Sequence, residues 1–188
     1  MTQSPPSIDR LVRFVAFSTL GVLSTTQELA NHTLAAVEGG NPELLAEETL
    51  CFVATTTARA AEVSLRNMPE AAAAVGSALL ELPFIYRDYL VGGEMIAAPE
   101  AASLKAHEAV YERLSRKQAF YAAHLPPNRF PGEVALTEKM ALWMGRVSPP
   151  KQPELPTDRM NRLDLVTILH LHLRLVLAFG RREDALSR

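Results

Sequence analysis

Residues 163–177 read Leu-Asp-Leu-Val-Thr-Ile-Leu-His-Leu-His-Leu-Arg-Leu-Val-Leu, and this run obeys two periodicities at once. From Leu169 to Leu177 every second residue is Leu, the alternation of a half-buried strand. At helical spacing the same letters place Leu165, Leu169, His172, Val176 and Phe179 on one side, with Asp164, Thr167, His170 and Arg174 on another. The flanking residues favour the helix. Thr157 or Asp158 offers an N-cap, Gly180 a stop, and Arg181-Arg182 suit the negative end of a helix dipole. Leu is a strong helix former, whereas strands lean on Val, Ile and Thr. A strand would also need partners, and the other β-leaning runs, 13–26 and 50–57, sit inside longer helix-compatible segments. The pattern therefore predicts a helix over 158–179, apolar around most of its circumference, which belongs at the centre of a bundle or at a subunit interface. The alternative is an α+β fold with 163–177 as a strand.

Helix punctuation divides the rest of the chain. Pro5-Pro6 or Ile8 opens a first helix that passes Leu20, Leu23, Ala30 and Leu34 and stops at Gly39-Gly40. Asn41-Pro42 starts a second, which carries Leu44, Leu45, Cys51, Phe52, Ala58 and Leu65 and ends before Pro69. A third begins at Glu70, and Pro83 must kink or end it because its ring clashes with the carbonyl four residues back. Residues 84–91 continue it to Gly92-Gly93. Pro99 opens a helix whose Leu104, His107, Tyr111, Leu114, Gln118 and Tyr121 share one face, while Lys105, Glu108, Glu112 and Arg116 face water. A shorter helix covers 133–146. Residues 148–157 hold too many prolines for a helix or a central strand and form an extended strap. The expectation is an all-α, single-domain bundle of about six helices spanning 1–188, with a Pro-rich strap before a buried C-terminal helix.

Composition adds exclusions. At 48% hydrophobic and 21% charged residues the chain reads as an ordinary globular domain, and the formal net charge of −2 gives no electrostatic footprint for nucleic acid. One cysteine, Cys51, precludes an intramolecular disulfide and fits a reducing cytoplasm; mid-helix between Leu50 and Phe52, it reads as buried and inert. Residues 14–23 follow Arg10 and Arg13 like the apolar core of a signal peptide, but Ser24-Thr25-Thr26-Gln27 makes a poor cleavage site. The 163–179 segment contains Asp164, His170, His172 and Arg174, so no membrane span is expected.

Three constellations carry candidate chemistry. Glu28 and His32 stand four apart on one helical face, and His107 and His172 lie on apolar stripes of other helices, an arrangement from which bundles build metal sites. The Glu-x-x-His pair of di-iron carboxylate bundles does not occur, and His107 and His172 also read as core histidines satisfied by a carbonyl or a tyrosine. Aromatic and soft residues form the second group: Phe84, Tyr86, Tyr89, Tyr111, Tyr121, Met140, Trp143 and Met144. With His107, Arg87, His172 or Arg174 as polar groups they make a candidate apolar ligand pocket, of which His107, Tyr111, Trp143, His172 and Arg174 are the residues of choice. Ordinary core packing explains the same residues, and Arg87-Asp88 between Tyr86 and Tyr89 reads as a solvated helix end or the lip of a cleft.

Residues 136–148, Leu-Thr-Glu-Lys-Met-Ala-Leu-Trp-Met-Gly-Arg-Val-Ser, form the third and resemble the first helix and turn of a helix-turn-helix DNA-binding unit. The resemblance implies a recognition helix next, where Pro149, Pro150, Pro153 and Pro156 forbid one of useful length. The phosphate-loop, Gly-x-Ser-x-Gly and His-Glu-x-x-His patterns are absent. The sequence leaves the identity of any cofactor open. The expected function is a helical scaffold or binding protein without enzymatic activity, acting by protein-protein association as a homo-oligomer or a subunit of a larger assembly. The alternative is a bundle enzyme or sensor that holds a metal or small ligand, and a DNA-binding regulator comes third.

Overall fold

The computed structural model describes residues 8–36, 41–92, 102–147 and 162–185. They form α1 (Ile8–Ala36), α2 (Pro42–Ser64), α3 (Pro69–Leu80), α4 (Leu82–Gly92), α5 (Ala102–His124), α6 (Leu136–Val147) and α7 (Arg162–Ala185), with one 3₁₀ turn at Pro131–Glu133. The all-α fold is as the periodicities predict, and no strand occurs among the described residues. The 148–157 strap lies outside them.

Local signals explain most boundaries. Asn41 caps α2: its side-chain oxygen accepts from the backbone N–H of Glu43 at 3.0 Å and Leu44 at 3.2 Å, while Pro42 fills a position where the missing N–H costs nothing. Pro69 likewise opens α3, there without a side-chain cap from Met68. Pro83 breaks the α3–α4 rod at Glu81, so the segment expected to kink becomes two helices.

Three boundaries differ from the sequence reading. The helix expected from residue 133 starts at Leu136, because Ala135 adopts a left-handed φ of 52° between the 3₁₀ turn and α6. Gly145, at the turn in the helix-turn-helix resemblance, is helical, and α6 runs on to Val147. Gly180, read as the stop of the last helix, lies inside α7. A Cβ there would stand 2.6 Å from the Ser64 Cβ, so this glycine lets α7 close against α2 rather than terminate.

The centre of the bundle belongs to α2, not to the C-terminal helix. Every residue from Glu47 to Ala58 is buried, and α2 touches each of the other helices. Around it run α7, α1, α3, α4 and α5 in neighbouring contact, with α6 closing the ring onto α7. Such a helix needs small residues and satisfied hydroxyls, and α2 has both. Thr49, Thr55 and Thr57 donate to the carbonyls four residues back at 2.6–2.7 Å, and Thr56 does so at 3.0 Å. These hydroxyls therefore cost little to bury. Phe52, Tyr121 and Trp143 fill the centre, with the Phe52 and Trp143 rings stacked 6.1 Å apart.

Helical spacing also resolves the leucine alternation of α7. Leu169, Leu173 and Leu177 are buried, whereas Leu171 and Leu175 are exposed; a strand would have put all five on one face. The α+β alternative is thereby overturned. α7 packs antiparallel on α1: Phe14 and Phe17 stack on Phe179 at 5.9 and 4.6 Å, and Gly21 lies under His172. No helix among the described residues is long and apolar enough to cross a membrane.

Candidate functional site

Two adjacent glutamates of the central helix, Glu47 and Glu48, are each 1% exposed. A buried carboxylate is tolerable only if it is paired and its lone pairs are met. Neighbours on a helix point in different directions, so Glu47 and Glu48 recruit different partners.

Glu47 Oε1 accepts from Arg87 Nε of α4 at 3.0 Å and from an Arg113 terminal nitrogen of α5 at 2.6 Å. Its Oε2 accepts from Arg113 Nε and from Lys117 Nζ, each at 2.8 Å. Four donors thus occupy the four lone-pair sites of one carboxylate. Burial alone would push this carboxyl upward, but the hydrogen bonds from Arg113, Lys117 and Arg87 outweigh it and hold the pKa down at about 2. The guanidinium of Arg113 is raised in turn, chiefly by its bond to Glu47. Glu43, one helical turn earlier and 45% exposed, accepts from Arg87 and, at 3.1 Å, from Arg113, which carries the network to the surface.

Glu48 faces the other way. Its Oε2 accepts from the Tyr121 hydroxyl and from Arg146 Nε, both at 2.7 Å, and Arg146 completes a two-pronged contact on Oε1 at 2.8 Å. Lys117 lies 3.6 Å from Oε1 and so stands between the two carboxylates. The Arg146 guanidinium also covers the Phe120 ring at 4.2 Å. Burial and the nearby Glu48 carboxylate push the Tyr121 phenol far above its ordinary range, so it remains a hydrogen-bond donor at any physiological pH. Burial, with Glu48 again contributing, likewise raises the Cys51 thiol, which is fully buried.

This network ties α4, α5 and α6 to α2. With every lone pair of Glu47 taken and its carboxylate held ionised, the group is a poor proton acceptor at neutral pH. Its chemistry is that of a clamp. Beside it, Phe84, Arg87, Tyr111 and Leu114 line a groove of about 460 Å³ between α4 and α5, its rim carrying Glu108 and Glu112. The Phe84 and Tyr111 rings meet in a tilted contact at 4.6 Å.

The network was missed in sequence because α5 was phased by its aromatic residues. Tyr111, assigned to the buried face, is exposed, while Lys117 is buried in line with Leu114 and Tyr121. Arg87, expected at a solvated helix end or the lip of a cleft, reaches across to Glu43 and Glu47. A signal did exist: Glu47-Glu48 stands in a stretch that from Leu44 to Ala58 otherwise holds only apolar residues and threonines. Opposite charges are the usual way to bury such a pair.

Among the described residues, those singled out from sequence do not converge. Trp143 is fully buried and donates to the Thr49 hydroxyl at 3.2 Å. Arg174 is exposed, donates to His170 Nε2 at 3.0 Å and lies 5.5 Å from the Phe130 ring centre. Tyr111 stands in the α4–α5 groove, remote from both. Glu28 and His32 are exposed on α1, seven and eleven positions beyond the Gly21 that His172 covers. That places them about 10 and 16 Å along the helix axis. The side chain of His107 lies outside the described ones, as does that of Tyr89. Among the described residues no cluster of three or more metal-ligating side chains occurs.

His172 is satisfied inside the core. Its Nε2 lies 2.8 Å from the Thr57 hydroxyl, whose own proton goes to the Val53 carbonyl at 2.7 Å. Thr57 therefore accepts, and the imidazole carries its proton on Nε2. Burial holds its pKa down at about 4, so the ring is neutral at pH 7. The partner is a threonine rather than a carbonyl or tyrosine.

No family model, curated protein or solved structure matches the chain. Function has to be read from the molecule itself.

Proposed function

We propose that the chain is a non-enzymatic helical scaffold that works through protein-protein association, using the outward face of α1 and α7. One observation carries this reading: Leu20 of α1 and Leu171 and Leu175 of α7 are exposed by 69, 60 and 58%, and they stand next in sequence to Gly21, His172 and Val176, on two helices that meet at Gly21 and His172. Single exposed leucines are ordinary, but a grouped set on adjacent helices marks an interaction surface. The interior supports the same view, since its buried carboxylates are spent on holding helices together.

The test is the native mass of the protein in an extract of its own cells, compared with a Leu171→Glu/Leu175→Glu variant expressed in its place. The wild-type chain is expected above its monomer mass of 20.6 kDa and the variant at or near it. A wild-type chain that elutes as a monomer rejects the proposal.

A second reading, capture of a small apolar ligand, is favoured by the groove that Phe84, Tyr111 and Leu114 line between α4 and α5. Thermal-shift screening of amphipathic acids against the wild type and Tyr111→Ala tests it. Stabilisation of the wild type alone would support it.

A further inference from the structure

We infer that the partner on the α1–α7 face is a second copy of this chain, seated antiparallel across a two-fold axis at the level of Leu20. The inference rests on the association reading and names the occupant of that surface.

The face is defined by the pairing of the two helices. Gly21 and His172 meet, as do Phe14 and Phe179, so α1 and α7 run in opposite directions. Leu20 precedes Gly21 by one residue, and Leu171 and Leu175 precede the inward His172 and Val176 by one. Antiparallel helices turn in opposite senses when seen along one axis, so all three leucines point to the same side, away from α2. The two helices overlap for about 24 residues, giving a face roughly 35 Å long and 20 Å wide, or about 700 Å². Stable interfaces of ordinary size take about 600–1,000 Å² from each partner, and this face falls within that range.

Charge sets the orientation. At one end of the face stand exposed Arg13 and Arg182, with Asp9 one turn further out; at the other stand exposed Glu28 and Asp164. Midway between Arg13 and Glu28 falls Leu20, and midway between Asp164 and Arg182 falls Leu173, which lies at the same level. Leu171 and Leu175 are two residues to either side. A two-fold axis at that level, perpendicular to the helices, stacks the leucines on their copies and brings each basic end over the partner's acidic end. An axis along the helices would instead set like charges together, which is unfavourable. An isologous contact needs this self-complementarity, and both the apolar centre and the charge distribution supply it.

The experiment uses the purified full-length chain. Sedimentation equilibrium is expected to show a dimer. Leu171→Glu/Leu175→Glu should be monomeric with an unchanged helical circular-dichroism spectrum, since both leucines are exposed. Arg13→Glu/Arg182→Glu should weaken the dimer about tenfold or more, as should Glu28→Lys/Asp164→Lys, and mixing the two variants should restore it. Orientation is read by oxidation: Arg182→Cys mixed with Asp164→Cys should form an interchain disulfide, and Arg182→Cys alone should not. The buried Cys51 stays out of this reaction. A purified monomer, a dimer indifferent to the leucine substitutions, or a 182–182 disulfide overturns the inference. If the purified chain is monomeric while the extract still contains a larger species that the leucine substitutions dissolve, only the second-copy partner fails. If the extract holds a monomer as well, the association reading fails with it.

Discussion

A Cβ on Gly21 of α1 would stand 2.6 Å from Nδ1 of His172 on α7, so the imidazole occupies the space a side chain would take. The ring is clasped between this glycine and Thr57 of α2, and it joins three helices at one point. Gly21→Ala is therefore expected to destabilise the fold by about 1–3 kcal/mol through overpacking, beyond any gain from removing a helical glycine. Urea denaturation followed by circular dichroism measures it. An unchanged midpoint would mean that α1 and α7 are not held together here.

The same ring makes stability depend on pH. His172 is held at about 4 against an ordinary 6.5. Between these values the unfolded chain takes up a proton that the folded chain refuses, so stability is complete above pH 6.5 and declines as the pH falls toward 4. Glu47, held at about 2 against 4.5, acts in the next window: its contribution is present above pH 4.5 and is lost as the pH falls toward 2. Acid unfolding should proceed with two stages in its stability profile. His172→Gln should flatten the first and leave the second, and a first stage that survives the substitution would assign it elsewhere.

Glu47 and Glu43 provide a contrast of burial within one network. Glu47→Ala strips the carboxylate from buried Lys117 and from Arg113, and breaking a buried pair in this way costs about 3–5 kcal/mol. Glu43 is 45% exposed, and its ion pairs are worth about 0–1 kcal/mol after solvent screening. Thermal melts of Glu47→Ala and Glu43→Ala should differ accordingly. Comparable losses would show that the network acts through its solvent end.

Gly145 offers the opposite sign. It lies in the last turn of α6, exposed, with nothing within 4 Å of a Cβ placed there. Gly145→Ala should stabilise by about 0.5–1 kcal/mol, by lowering the entropy of the unfolded chain. A melting temperature that does not rise would imply that residues beyond Val147 use this position.

Gly145 and Gly180 show how far local signals reach. Gly180 looks like a helix stop and Gly145 like a turn, since glycine after a periodic run usually ends the helix. The helix continues past each, in the case of Gly180 because α7 must approach Ser64. Close approach is a property of two helices and leaves no trace in the local sequence of one. The partners of the buried carboxylates were hidden for a similar reason: Arg87, Lys117 and Arg146 each look like ordinary surface charges until their helices are set side by side.

The pattern of apolar positions, with Asn41-Pro42, Pro69 and Pro83 as punctuation, was enough to determine the all-α class and most helix boundaries, because capping and proline sterics act within a few residues. It also marked His172 as buried. The tertiary structure alone decided that α2 rather than α7 occupies the centre, that Thr57 satisfies His172, and that two buried carboxylates fasten three helices. These depend on which faces meet, and a chain whose α2 and α7 are both apolar around most of their circumference does not encode the winner locally. The small residues and self-bonded threonines of α2 let six neighbours approach it, which is why it lies inside while Leu171 and Leu175 of α7 remain outside.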